Sequence, residues 1–155
     1  MSEAQQLIFN IEKLYVKDLS VEVPNAPEIF ASREAPQMDV NMQTQSSPAG
    51  ENLYQNSITV TITAKVGDKT LFLVECTQCG IFRIQNVPAD QLPAVLGIGC
   101  PNIVFPYLRE TVSDAVIRAG FPPLLLNPVN FEAHFVQQQQ AMQQQQADAA
   151  APTTH

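Results

Sequence analysis

Strand patterns in the first part of the chain and helical patterns in the last part predict an α+β fold. Two observations carry this reading. In 57–78 the apolar residues alternate as a β-hairpin requires, and over about 106–119 they recur at helical spacing. A third bounds it: 155 residues suit one domain with a sizeable core.

Residues 7–23 read as a long strand, because Asp18, Ser20 and Glu22 alternate with Leu19, Val21 and Val23. Pro24 and Pro27 end it. The stretch 24–55 holds four prolines and little periodicity, and is expected to be a long crossing connection with a short edge piece at Gln37–Met42. In the hairpin, Ile58, Val60, Ile62 and Ala64 face one way and Thr59, Thr61 and Thr63 the other. Gly67-Asp68 is the turn. On the returning strand, parity places Leu71, Leu73 and Glu75 on one face and Phe72, Val74 and Cys76 on the other. Gly80–Val87 continues as a shorter strand, and Pro88–Leu96 as a short helical turn.

Phe105, Leu108, Val112, Ala115, Val116 and Ala119 define the first long helix, with Pro106 in its first turn and Gly120 as its C′ residue. Asn130 is an N-cap candidate for a second helix from Phe131 to about Gln146. Phe131, Phe135 and Val136 can dock on a core, whereas Gln137–Gln146 holds eight glutamines and is expected to be solvated. Ala147–His155 reads as a disordered tail.

Fifteen acidic against eight basic side chains leave a formal charge of −7. Four lysines and four arginines spread along the chain offer no basic track for phosphates, which excludes nucleic acid as a main partner and argues against anionic membranes. The start has no signal-peptide pattern and no stretch is apolar enough to span a bilayer, so the cytoplasm is the expected location.

Catalytic and metal-binding patterns are weak. Cys76-Thr77-Gln78-Cys79 is a CxxC, the spacing of half a zinc site or of a redox pair. The second pair that zinc needs is missing, and strand parity points Cys76 and Cys79 to opposite faces. They read as packing residues, as does Cys100. His134, the only internal histidine, lies beside two phenylalanines and reads as packing or surface. No nucleophile–base set, carboxylate pair or cofactor motif stands out, so no enzyme and no cofactor is expected.

Two surfaces are more informative. If the inner strand faces pack on the helices, Asp18, Glu22, Leu73 and Glu75 point outward together. That is either a solvated sheet face or an acidic dock for a basic partner. Phe30, Tyr54, Phe105, Tyr107, Phe121, Phe131 and Phe135 cluster in or near Pro-rich connections and helix ends. Most must be core, and the remainder can line a groove for extended apolar peptide.

The segment Lys17-Asp18-Leu19-Ser20-Val21-Glu22-Val23-Pro24-Asn25-Ala26-Pro27 resembles the first-strand signature of the SecB protein-export chaperones. Gly80-Ile81-Phe82, Cys100-Pro101-Asn102-Ile103-Val104-Phe105-Pro106-Tyr107-Leu108-Arg109-Glu110 and Gly120 through Phe131 are similar to its later blocks, in the same order. The resemblance covers roughly residues 8–136, within a chaperone domain of 1–136, and leaves 137–155 as a Gln/Ala-rich helix extension and tail.

The resemblance implies a four-stranded antiparallel sheet with two main helices. It also implies a homotetramer, a dimer of dimers, with helices between two outer eight-stranded sheets. Such proteins hold unfolded precursor proteins in the cytoplasm, without ATP, and deliver them to the SecA translocase ATPase. By the same resemblance the SecA contacts fall on Asp18, Glu22, Leu73 and Glu75, and assembly positions on Val74, Cys76 and Gln78. The family's C-terminal tail also touches SecA; here it is rich in glutamine and carries one acid, Asp148. Cys79 stands where a small residue is usual, and Glu34 where the best-known member has a tryptophan.

Overall fold

The computed structural model describes residues 5–150. Four long strands, β1 (Ile8–Glu22), β2 (Gln37–Gly50), β3 (Leu53–Val66) and β4 (Lys69–Gln85), form one antiparallel sheet in the order β1-β4-β3-β2. A short turn of helix, α1 (Leu92–Ala94), and a wide π-type turn at Val95–Gly99 lead into α2 (Cys100–Arg118). α3 (Phe131–Ala150) follows an irregular link. β2, β3 and β4 form a meander, and β1 lies beside β4. The connection from β1 to β2 must therefore cross the end of the sheet.

Alternation builds the core as expected. Ile58, Val60, Ile62 and Ala64 of β3 are fully buried, beside Phe72, Val74, Cys76 and Phe82 of β4. Val104, Leu108, Val112 and Val116 of α2 lie over them. Burying each of the Val, Leu, Ile and Phe side chains is worth about 1.5–3 kcal/mol, so this sheet–helix layer dominates stability.

Several expectations are corrected. β2 runs the whole length Gln37–Gly50 and is not a short piece of a long loop. Half of its residues are Gln, Asn, Ser or Thr, and all but Met42 and Thr44 are exposed, so apolar alternation is faint. β4 is one strand through Gln85, with no break at Gly80. Leu71 is buried and does not share the outer face of Leu73. The β3–β4 register shifts between Ala64 and Lys65, where Leu71 is left without a partner in the ladder.

α2 begins at Cys100, so Pro101 occupies the first turn and Pro106 lies in the helix interior on an exposed face. Val136 is 46% exposed and does not dock on the core. α3 extends through Ala150, which includes part of the stretch read as disordered. The remaining tail, 151–155, lies outside the described residues.

The helix ends follow side-chain and backbone logic. Gly120 has φ +98°; its N–H bonds the Ile117 carbonyl at 3.0 Å, and the Phe121 N–H bonds the Val116 carbonyl at 3.2 Å. This is a Schellman cap, and it fixes where Phe121 emerges. At α3, the Ala133 N–H donates to Asn130 Oδ1 at 3.0 Å, the N-cap bond expected of Asn130.

α3 rests on the π-type turn at Val95–Gly99 through few groups. Phe131 is buried, and the Phe135 ring lies on Gly97. A Cβ at position 97 would come within 2.5 Å of Phe135 Cδ2. Gly97→Ala is expected to push Phe135 off its seat. Amide exchange in 131–136 should quicken about tenfold while 58–84 is unchanged, a local penalty of ordinary overpacking size.

Candidate functional site

An open apolar pocket of about 490 Å³ lies at one end of the inner face, under the crossing connection. Each wall has a structural cause. The 3-10 turn Glu28–Ala31 buries Ile29 and leaves Phe30 48% exposed. The Schellman cap sets Phe121 beside it, with ring centroids 5.2 Å apart and the rings stacked. Phe72 of β4 packs on Phe121 at 5.1 Å. Pro36, Met38, Pro122, Pro123 and Leu124 complete the apolar lining, and Arg33 and Glu34 add charge. The link after α2 is held by Arg109, whose Nε donates to the Leu126 carbonyl at 3.0 Å while its guanidinium lies 4.8 Å from the Phe105 ring centroid.

Of the seven groove aromatics singled out from the sequence, Phe30 and Phe121 line this pocket. Phe105 and Phe131 are buried edge to face at 5.8 Å. Phe135 is half-buried on Gly97, Tyr54 is half-buried opposite Phe82 in the ladder, and Tyr107 is exposed on α2. Phe72, Pro36, Met38 and Leu124 were not singled out. Phe72 is hidden from sequence reasoning because its inward parity marks it as core, although one side of its ring reaches the pocket.

A second, more polar cavity of about 510 Å³ adjoins the first, sharing Ile29, Ser32 and Glu34 and adding Asn25, Glu28, Asp68 and Lys69. Asn25 Nδ2 donates to the Thr70 carbonyl at 2.9 Å, tying the crossing connection to the start of β4.

On the outer face the ladder sets Asp18 opposite Thr77, Ser20 opposite Glu75 and Glu22 opposite Leu73. Asp18, Glu22 and Glu75 are exposed and Leu73 is half-buried. The four residues share one end of the outer face, on the side of the sheet opposite the pocket. They need no partner within the chain, because the face is open to solvent.

Val74, Cys76 and Gln78 have the opposite parity and are buried beneath α2. The Thr111 hydroxyl donates to Gln78 Oε1 at 3.1 Å, so this buried amide is tied directly to the helix. The three cysteines are free and buried. Burial pushes the Cys76 thiol up to about 11 and the Cys100 thiol up to about 12. Cys79 is also raised by burial; it stands on the outer face opposite Tyr15, whose hydroxyl donates to Gln55 Oε1 at 2.6 Å. Burial thus disfavours the thiolate, the reactive form, at all three positions. Among the described residues, no group of three His, Cys, Asp or Glu is placed to hold a metal ion, and no helix is long and apolar enough to cross a membrane.

The fold sets the class: an antiparallel four-stranded sheet with its helices on one face, the architecture of SecB-like chaperones. A solved SecB-like chaperone of Mycobacterium tuberculosis, in complex with an antitoxin peptide, superposes with a TM-score of 0.64 at 17% identity, over 78% of this chain and 90% of that one. The family model for the preprotein translocase subunit SecB matches residues 2–143. The protein-export protein SecB of Thiobacillus denitrificans is 77% identical over the full length of both chains. That of Methylobacillus flagellatus is 54% identical over 99% of this chain and 96% of its own, and that of Dechloromonas aromatica 56% identical over 98% and 96%. This chain belongs to the SecB family.

Proposed function

We propose that this chain is an ATP-independent cytoplasmic chaperone that holds unfolded precursor proteins and delivers them to the SecA translocase ATPase. The observation that carries the reading is the open pocket of Phe30, Phe72 and Phe121. Exposed aromatics cost hydration free energy, and a pocket roofed by a surface connection can recover it by enclosing an apolar side chain of a client. Proline walls offer few backbone donors, so the pocket grips side chains and leaves the client's sequence largely unread. Each site is weak alone. A homotetramer, a dimer of dimers, presents several at once and holds long chains by avidity.

The reading is non-enzymatic and uses no cofactor. Residues 1–136 act as the chaperone domain, and 137–155 as a solvated extension. The outer residues Asp18, Glu22, Leu73 and Glu75 serve as the SecA dock, whose complement is a basic, commonly zinc-binding, tail on that partner. Client and translocase then occupy opposite faces and do not compete. Val74, Cys76 and Gln78 govern assembly indirectly, by setting how α2 lies on the sheet.

The test is refolding of a slow-folding, reduced precursor without ATP. A stoichiometric amount of the chain should delay it, and an unchanged refolding rate would contradict the chaperone role. Phe121→Ala should raise the client Kd about tenfold, since it removes one aromatic contact and opens the pocket wall. Its retained near-wild-type helix content would separate lost binding from lost folding.

A further inference from the structure

Among the described residues, Met38 is the one methionine that both lines the aromatic pocket and reaches solvent, at 41% exposure. The placement follows from the sheet. Met38 stands opposite Ala64, whose full burial marks the inner face, but α2 lies over β3 and β4 and leaves this edge position uncovered. Met42, on the same face, is half-buried against the core, and Met142 is 61% exposed on α3, outside the pocket. The three cysteines, ordinarily the first sulfurs to oxidise, are buried, and burial disfavours their thiolates. The thioethers of Met38 and Met142 are therefore the described sulfurs most open to an oxidant.

We propose that Met38 is an oxidation site through which a peroxide weakens the pocket's hold on apolar side chains. The inference rests on the chaperone reading above and names a control of that same pocket. The sulfur lone pair attacks one peroxide oxygen, the O–O bond breaks and an S–O bond forms. The proton of the transferred oxygen passes to the departing hydroxide, which leaves as water; the sulfur loses two electrons and the peroxide gains them. The product is a polar sulfoxide. An entering apolar side chain must strip water from its oxygen, and the rings of Phe30, Phe72 and Phe121 offer no hydrogen bond in return. A methionine sulfoxide reductase supplied with a dithiol returns the thioether, releasing water and a disulfide, so the change is reversible.

The test treats the full-length protein with hydrogen peroxide, removes the peroxide and maps oxidation by peptide mass spectrometry. Affinity for a reduced, alkylated protein that stays unfolded is measured before and after. Met38 and Met142 should each gain one oxygen. The Kd should rise about tenfold in wild type and in Met142→Leu, and return after reductase treatment. Met38→Leu, whatever its starting affinity, should lose less than about twofold on treatment, because leucine keeps the volume and has no sulfur to oxidise. A Met38 that stays reduced while Met142 is oxidised, an oxidised Met38 with an unchanged Kd, or an equal loss in Met38→Leu would each overturn the proposal and leave the chaperone reading standing. An untreated protein that does not bind the unfolded chain would overturn both.

Discussion

Glu75→Lys is expected to weaken SecA binding at least about thirtyfold, roughly 2 kcal/mol, while client capture is unchanged. Glu75 is exposed on the outer face, opposite Ser20 and flanked along the sheet by the rows holding Asp18 and Glu22. Reversing its charge places a cation at the centre of the proposed dock, where a basic partner meets like charge. The pocket lies on the other face, so Phe30 and Phe121 are untouched. An exposed substitution of this kind moves stability by no more than about 0.5 kcal/mol. Calorimetry with SecA at two salt concentrations checks the mechanism: wild-type binding should weaken with salt, and the variant's residual binding should be far less sensitive. Equal loss of SecA and client binding would refute the separation of faces.

Cys76→Tyr is expected to convert tetramers to dimers. Cys76 is fully buried, with Leu19 and Val60 as its cross-strand neighbours and α2 packed on that face. A phenol ring has no room there. Overpacking costs typically 1–3 kcal/mol, and a buried hydroxyl without a partner adds a comparable penalty. The cheapest relief is a shift of α2, which also carries the exposed Tyr107 and Ile117. If the helices form the layer between two dimers, that shift disrupts the dimer–dimer contact first. Light scattering should give about twice 17.0 kDa. An unchanged tetramer would contradict the role assigned to this position.

The central layer was legible because its chemistry is local and periodic. Ile58 to Ala64 alternate without interruption, and their parity predicted the face that α2 covers. The outward grouping of Asp18, Glu22, Leu73 and Glu75 followed from the same period of two. β2 was largely illegible, because an edge strand exposed along most of its length places little apolar demand on alternate residues. Leu71 broke parity at a register shift, which depends on the partner strand and leaves no mark in its own sequence. The start of α2 was missed because Pro101 and Pro106 both suit a first turn, and only packing decides which one has it. The pocket was half legible. Proline and phenylalanine around 120–124 pointed to it, but Phe72 and Met38 arrive from strands far away in sequence.

Size exclusion with light scattering, on the chain alone and with an excess of an unfolded, reduced precursor, tests the chaperone assignment most directly. A species near four times 17.0 kDa that retains the precursor is the expected result. A monomer that lets the precursor elute separately would contradict both the assembly and the holding function.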